Sequence, residues 1–181
     1  MRKTRLLAIG GLFAALLAVF SQISVPLPFS PVPLSLGVLA VFLIGGLLPP
    51  RLALGSVLAY LAMGVVGIPV FAGFLAGPGR LLGPTGGYLV AYPLMALLVS
   101  WGQTRQKTVG FFSLAGWMVL SLGACYLLGT LWMMVYTGQG AWAVLGMAVF
   151  PFLPLDLCKA LAGAALCLRL RRSLPSLTIA R

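Results

Sequence analysis

The sequence predicts an all-α integral membrane protein with six transmembrane helices, and three observations carry that reading. Of 181 residues, 61% are hydrophobic and 7% charged. A soluble domain carries about 25% charged residues and needs them for its surface. The apolar residues gather into six stretches, five of them free of charge, and most of the basic residues fall between those stretches with a consistent sidedness. A net charge of +11 from 12 basic and one acidic residue would otherwise suggest nucleic acid. A nucleic-acid binder, however, clusters its cations on a polar face, whereas here they are scattered singly.

The expected spans are 6–22, 34–49, 52–67, 87–104, 110–136 and 143–168, each near the roughly 20 residues that cross a bilayer. Six of them leave no room for a soluble domain, so residues 1–181 form one membrane domain. The first span follows Met1, Arg2, Lys3 and Arg5 as a signal peptide would, but Ser21-Gln22-Ile23 is a poor cleavage site and the span is read as retained. The second is short, and Pro49-Pro50-Arg51 makes its connection to the third a tight turn. With the N-terminus inside, the inner segments hold Arg2, Lys3, Arg5, Arg51, Arg105, Lys107, Arg169, Arg171, Arg172 and Arg181. The positive-inside rule then puts both termini in the cytoplasm.

Two outer connections stand out. Residues 26–33, between spans 1 and 2, carry four prolines in eight positions and are expected to be extended and semi-rigid. The connection from Ile68 to Gly87, between spans 3 and 4, is long for a loop and is read as a lid or binding loop. It contains Phe71, Phe74, Arg80, Thr85 and Gly86. Gly86-Gly87 opens span 4, where free N–H groups and the helix dipole could meet an anion, or where the glycines merely shape a turn.

Span 6 contains the feature that lipid tolerates least. Asp156, the only Asp or Glu of the chain, is followed three positions later by Lys159, on the same helix face. Phe152, Ala160, Gly163 and Cys167 share that face, while Leu155, Leu157, Leu161, Leu166 and Leu168 point elsewhere, toward lipid. Each ion costs about 2.5–3.5 kcal/mol at a helix centre, and intramembrane ions mark sites by default. Measured along one continuous helix, Asp156 lies about 20 Å below the outer surface. Asp156, Lys159 and Arg80 sum to one positive charge, which suits a small apolar monoanion with N–H donors. Arg80 or Lys159 would meet its carboxylate, and Asp156 its N–H groups. Tyr60, Phe71, Tyr88 and Phe152 are available to pack on rings. Cys125, Cys158 and Cys167 are read as buried, inert thiols. Without His or a second carboxylate, an ordinary zinc or iron site is excluded.

Four segments in series are familiar: Phe29-Ser30-Pro31-Val32-Pro33-Leu34; Gly67-Ile68-Pro69-Val70-Phe71-Ala72-Gly73; Gly83-Pro84-Thr85-Gly86-Gly87-Tyr88; and Pro151-Phe152-Leu153-Pro154-x-Asp156-x-x-Lys159-Ala160. Together they resemble the BioY family, the biotin-binding S components of energy-coupling-factor (ECF) vitamin transporters, from span 1 to span 6. The resemblance implies a six-helix bundle that captures biotin under outer loops 1–2 and 3–4, in the cytoplasmic membrane. It places Asp156 and Lys159 at the ligand; Arg80, Thr85, Gly86, Tyr88, Tyr60 and Phe71 are the further contacts expected from the residues themselves. It also implies partners, a membrane T component and two ATPases, with Gly11, Ala14, Ala15 and Ala18 of span 1 as the docking face. No G-x-x-x-x-G-K-[ST] occurs, so ATP would be used only by partner subunits and no chemical cofactor is implied. Two other functional classes are weaker. An intramembrane enzyme would have to rest on Asp156 and Lys159 alone, and a structural membrane protein would use them as an internal clamp. Within the S-component class, another small anionic vitamin is the alternative to biotin.

Overall fold

A computed structural model describes residues 2–106 and 108–173; Lys107 and Arg181, assigned above to the inner face, lie outside the described residues. The chain runs α1 (Arg2–Gln22), β1 (Ser24–Leu27), β2 (Ser30–Ser35), α2 (Gly37–Leu47), α3 (Pro50–Val65), α4 (Gly79–Leu82), α5 (Gly86–Thr104), α6 (Phe111–Thr137), α7 (Ala141–Ala148) and α8 (Leu153–Ser173). Pro49-Pro50 makes the expected tight turn: α2 stops at Leu47, and Pro50 opens α3 at a first-turn position where its missing N–H costs nothing.

Helix α2 is the innermost element, with nine of its eleven residues buried. It is apolar all round, as a helix enclosed on every side must be. Glycines let its neighbours approach. A Cβ on Gly45 would stand 2.8 Å from Val99 Cβ of α5, and one on Gly46 only 2.4 Å from Cys167 Sγ of α8. Small residues at such seams are how helices pack where lipid supplies no hydrophobic drive.

Its C-terminal end also has to satisfy carbonyls that have no partner within the helix. Gln103 Nε2 donates to the Gly45 carbonyl, the Arg171 guanidinium to that of Gly46, and Ser100 Oγ to that of Leu48 at 2.6 Å. One end of the bundle is thereby tied across α2, α5 and α8. Ser100 is fully buried, so Ser100→Ala strands a carbonyl. We expect a loss of about 0.6–1.7 kcal/mol in thermal or denaturant unfolding, with ligand affinity unchanged.

Two expectations need correction, and a third is met only in part. First, the class is mostly helical rather than all-α. The proline-rich segment is extended, as its composition demands, but its ends pair as an antiparallel hairpin: Ser24 faces Ser35, Val25 faces Leu34 and Leu27 faces Ser30, with the register slipping at Pro26. In a two-stranded ribbon each strand has a free edge, which tolerates residues lacking an N–H. Second, span 6 is not one helix. It breaks into α7 and α8, bent by 54°, around a turn holding Pro151, with Pro154 in the first turn of α8. Asp156 therefore sits in the first turn of α8, and a depth measured along one straight helix does not apply. Third, among the described residues two helices, α1 from Thr4 and α6, are long and apolar enough to cross a membrane, or three if the bent α7–α8 pair is one span. Helices α2 and α3 are shorter; the segment before α2 is spent on the hairpin.

The face assignment of α8 holds in part: Leu157 and Leu168, expected to point outward, are partly buried and pack against the core. Asp156, Ala160, Gly163 and Cys167 are buried, and Leu155, Leu161 and Leu166 are exposed. Cys158, expected to be buried, is exposed, while Cys125 and Cys167 are buried; Cys158 lies two residues past Asp156, on another side of the helix.

Candidate functional site

The bent sixth span brings the acidic and basic pair against the hairpin and α6. Lys159 Nζ lies 2.7 Å from Asp156 Oδ1 and donates a second bond, also 2.7 Å, to the Ser35 carbonyl at the end of β2. The other carboxylate oxygen accepts from the Tyr126 hydroxyl of α6 at 2.7 Å. Asp156 is 5% exposed. The pair is thus not closed on itself: one network joins α8, α6 and the hairpin. A carboxylate in the first helical turn also meets the favourable end of the helix dipole.

Two neighbouring cavities share a wall. The smaller, about 40 Å3, is lined by Asp156, Lys159, Tyr126, Phe152, Cys125 and the hairpin's Val32–Ser35. It admits water but no organic ligand. The larger, about 440 Å3, is lined by both connections: Ser24 to Ser35 of the hairpin, then Phe71 to Leu75, Arg80 and Thr85, with Gln22 at the end of α1. That is within the roughly 300–1,000 Å3 of small-molecule sites. Tyr88, Tyr92, Ser35, Val32 and Pro33 line both.

The structure therefore brings together Asp156, Lys159 and Tyr88 around one chamber, and Arg80, Thr85, Phe71 and Tyr88 around the other. Two expected residues line neither chamber. Tyr60 is fully buried beneath Phe71, their rings edge to face at 5.6 Å, and its hydroxyl donates to Ser21 Oγ. It supports the wall rather than forming it. Phe71 is seated so closely on α3 that a Cβ at Gly64 would stand 2.0 Å from its ring.

Gly86 is held for a reason internal to the chain. A Cβ there would lie 1.8 Å from the Leu81 carbonyl oxygen, so the glycine admits the α4 backbone, not a ligand. On α1, Gly11 and Ala15 are exposed and Ala18 is half-buried, but Ala14 is 2% exposed and faces the core. Its place in an outward docking face is corrected accordingly.

Sequence reasoning passed over Tyr126, Tyr92, Ser35 and Gln22. A signal existed for the tyrosines. Membrane tyrosines concentrate at the interfaces, whereas Tyr126 stands in the middle of a 27-residue helix and Tyr92 one turn beyond Tyr88, on the same face. Nothing local marks Ser35, which acts through its backbone carbonyl.

Arg80 is exposed, and among the described residues its guanidinium makes no hydrogen bond or ion pair. The site thus offers one spare cation at the outer chamber, a buried carboxylate with its own counter-ion, and aromatic walls between them.

A family model described as the BioY family matches residues 1–176. The chain belongs to the BioY family. Its BioY relatives include a probable biotin transporter BioY of Pyrococcus horikoshii, 39% identical over 93% of this chain and 98% of that protein. The biotin transporter BioY2 of Lactococcus lactis is 36% identical over 96% and 95%. The biotin transporter BioY of Thermotoga maritima is 35% identical over 90% and 93%. Among solved structures, the BioY fold described here matches a crystal structure of the S-component for biotin from an ECF-type ABC transporter. The TM-score is 0.87 at 26% identity, covering 94% of this chain and 93% of that one.

Proposed function

We propose that this chain captures biotin at the outer face of the cytoplasmic membrane and is the substrate-binding subunit of an ECF-type transporter. The carrying observation is that a BioY-family chain places its buried Asp156–Lys159–Tyr126 network behind a chamber of about 440 Å3, walled by both long connections. Biotin has a carboxylate at one end and a ureido ring with two N–H donors at the other. Arg80, whose guanidinium has no partner among the described residues, meets the carboxylate. Asp156 accepts from the ureido N–H groups, and Tyr88, Tyr92 and Phe71 pack on the rings and chain. Seating the ureido group requires the wall between the two chambers to yield.

The supporting topology has six crossings with both termini inside. Arg51 at the start of α3, Arg105 at the end of α5 and Arg169 and Arg172 near the end of α8 mark the inner end. Arg105 stacks there on Trp101 at 3.7 Å. The exposed Trp142, Tyr136 and Phe150 mark the outer end, as aromatic belts do. A T component and two ATPases supply the energy, and the exposed Gly11 and Ala15 of α1 offer the close approach that docking between membrane helices uses. The alternative of a ligand-free clamp finds no support in relatives named as biotin transporters.

Calorimetric titration of the purified chain with biotin, beside mass spectrometry of small molecules it retains, tests the reading. Retention of another compound together with silence toward biotin would overturn it. Arg80→Gln should weaken biotin about tenfold, the worth of one charge-assisted contact, while leaving affinity for the neutral biotin amide unchanged. Equal losses for acid and amide would remove Arg80 from the carboxylate.

A further inference from the structure

The last residue of α1 makes an unusual set of contacts. Gln22 Nε2 donates to the Pro69 carbonyl at 3.2 Å and to the Phe71 carbonyl at 3.1 Å, while its Oε1 accepts from the Phe74 N–H at 2.8 Å. One side chain thus satisfies three backbone groups spread over six residues of the connection between α3 and α4. Apart from Gln22, the tip is fixed by its own bridge and by Phe71. Phe71 and Leu75 form an isolated antiparallel bridge, Gly73 has φ +75°, and Phe74 has φ +58° and is 72% exposed. A phenylalanine rarely adopts a positive φ, so the turn stands there only because its surroundings hold it. Phe71 on one side of the tip is wedged into α3, while Phe74 on the other hangs over the 440 Å3 chamber.

The geometry points to Gln22 as a positioning residue for the ligand chamber: its amide latches the Phe71–Leu75 tip to the end of α1, and release of this latch is the step that opens the chamber. The inference rests on the biotin-binding reading for its ligand but not for its mechanism. Freed from Gln22, the tip keeps its anchor at Phe71 and its bridge to Leu75, so Phe74 swings as one unit. The hairpin on the opposite wall is held separately, by Lys159 on the Ser35 carbonyl. Gln22 therefore governs one wall alone, and its loss should speed entry and exit together rather than destroy the site.

Two variants of the full chain in detergent or nanodiscs test this. Gln22→Ala removes the latch; Gln22→Met keeps the volume and removes only the hydrogen bonds. Hydrogen exchange is read first, without ligand. The Phe74 amide, now accepted by Gln22, should exchange at least about tenfold faster in both variants, while amides of α2 remain as protected as before. Biotin association and dissociation should then each rise, dissociation by about tenfold or more. If the parent chain binds no biotin, the functional reading fails, and the exchange result still judges the latch. Parent-like exchange at Phe74 in Gln22→Met overturns the latch, whatever the binding result. So does faster exchange with unaltered biotin kinetics, since the tip would then move without gating the chamber.

Discussion

Asp156→Asn should lower biotin affinity at least tenfold, about 1.4 kcal/mol, while the protein still folds. The substitution keeps the size of the side chain. Its remaining carbonyl oxygen can face Lys159, and its amide can donate to the Tyr126 hydroxyl, so both contacts at 2.7 Å keep a partner. What disappears is the negative charge. The ligand's N–H groups then meet a neutral acceptor, and charge-assisted hydrogen bonds are roughly twice as strong as neutral ones. Lys159 also keeps its charge without a counter-ion, a burden that Asp156→Asn with Lys159→Gln lifts. The double variant should recover stability but not affinity. Titration calorimetry and thermal unfolding separate the two effects. Unchanged affinity in a folded Asp156→Asn protein would reduce the pair to a clamp.

Gly86→Ala is expected to be among the most disruptive methyl additions in the chain. The new Cβ would lie 1.8 Å from a backbone oxygen, that of Leu81, and backbone cannot rotate aside as a side chain can. Either α4 lifts from α5 or the start of α5 unwinds. Overpacking of this kind costs about 1–3 kcal/mol, and here the strain falls on the segment carrying Arg80 and Thr85. We expect lower thermal stability together with weaker biotin binding. Gly11→Ala is the control: nothing lies within 4 Å of its Cβ, and both properties should stay at parent values. A Gly86→Ala protein with parent stability would mean that α4 is not seated as described.

The contrast between those glycines shows where the sequence was legible. Charge-free runs, the Pro49–Pro50 turn and the Asp156–Lys159 face could be read because each depends on spacing within one segment. Leu155, Leu161 and Leu166 of α8 followed from the same periodicity, while Leu157 and Leu168 turned toward the core. What could not be read depends on meeting partners from distant segments. The hairpin's pairing follows from how Ser24 and Ser35 are brought opposite each other, not from its prolines. The break between α7 and α8 did leave a local mark, Pro151 and Pro154 inside an otherwise apolar run, but the size and direction of the bend depend on what α7 and α8 meet. Tyr126 reaches Asp156 across 30 residues, and Lys159 reaches the Ser35 carbonyl across 124. Gly86 carries the same ambiguity, since a glycine at a helix start looks alike whether it admits a ligand or a neighbouring carbonyl.

The way Lys159 is tethered has a consequence for the resting state. A carrier embedded in an energised membrane must not become a leak, yet a buried ion pair is the kind of place where water files and protons gather. With the ammonium bridging carboxylate and strand, and the phenol of Tyr126 closing the other oxygen, the polar centre is self-sealed and its chamber of about 40 Å3 is too small to wet a continuous path.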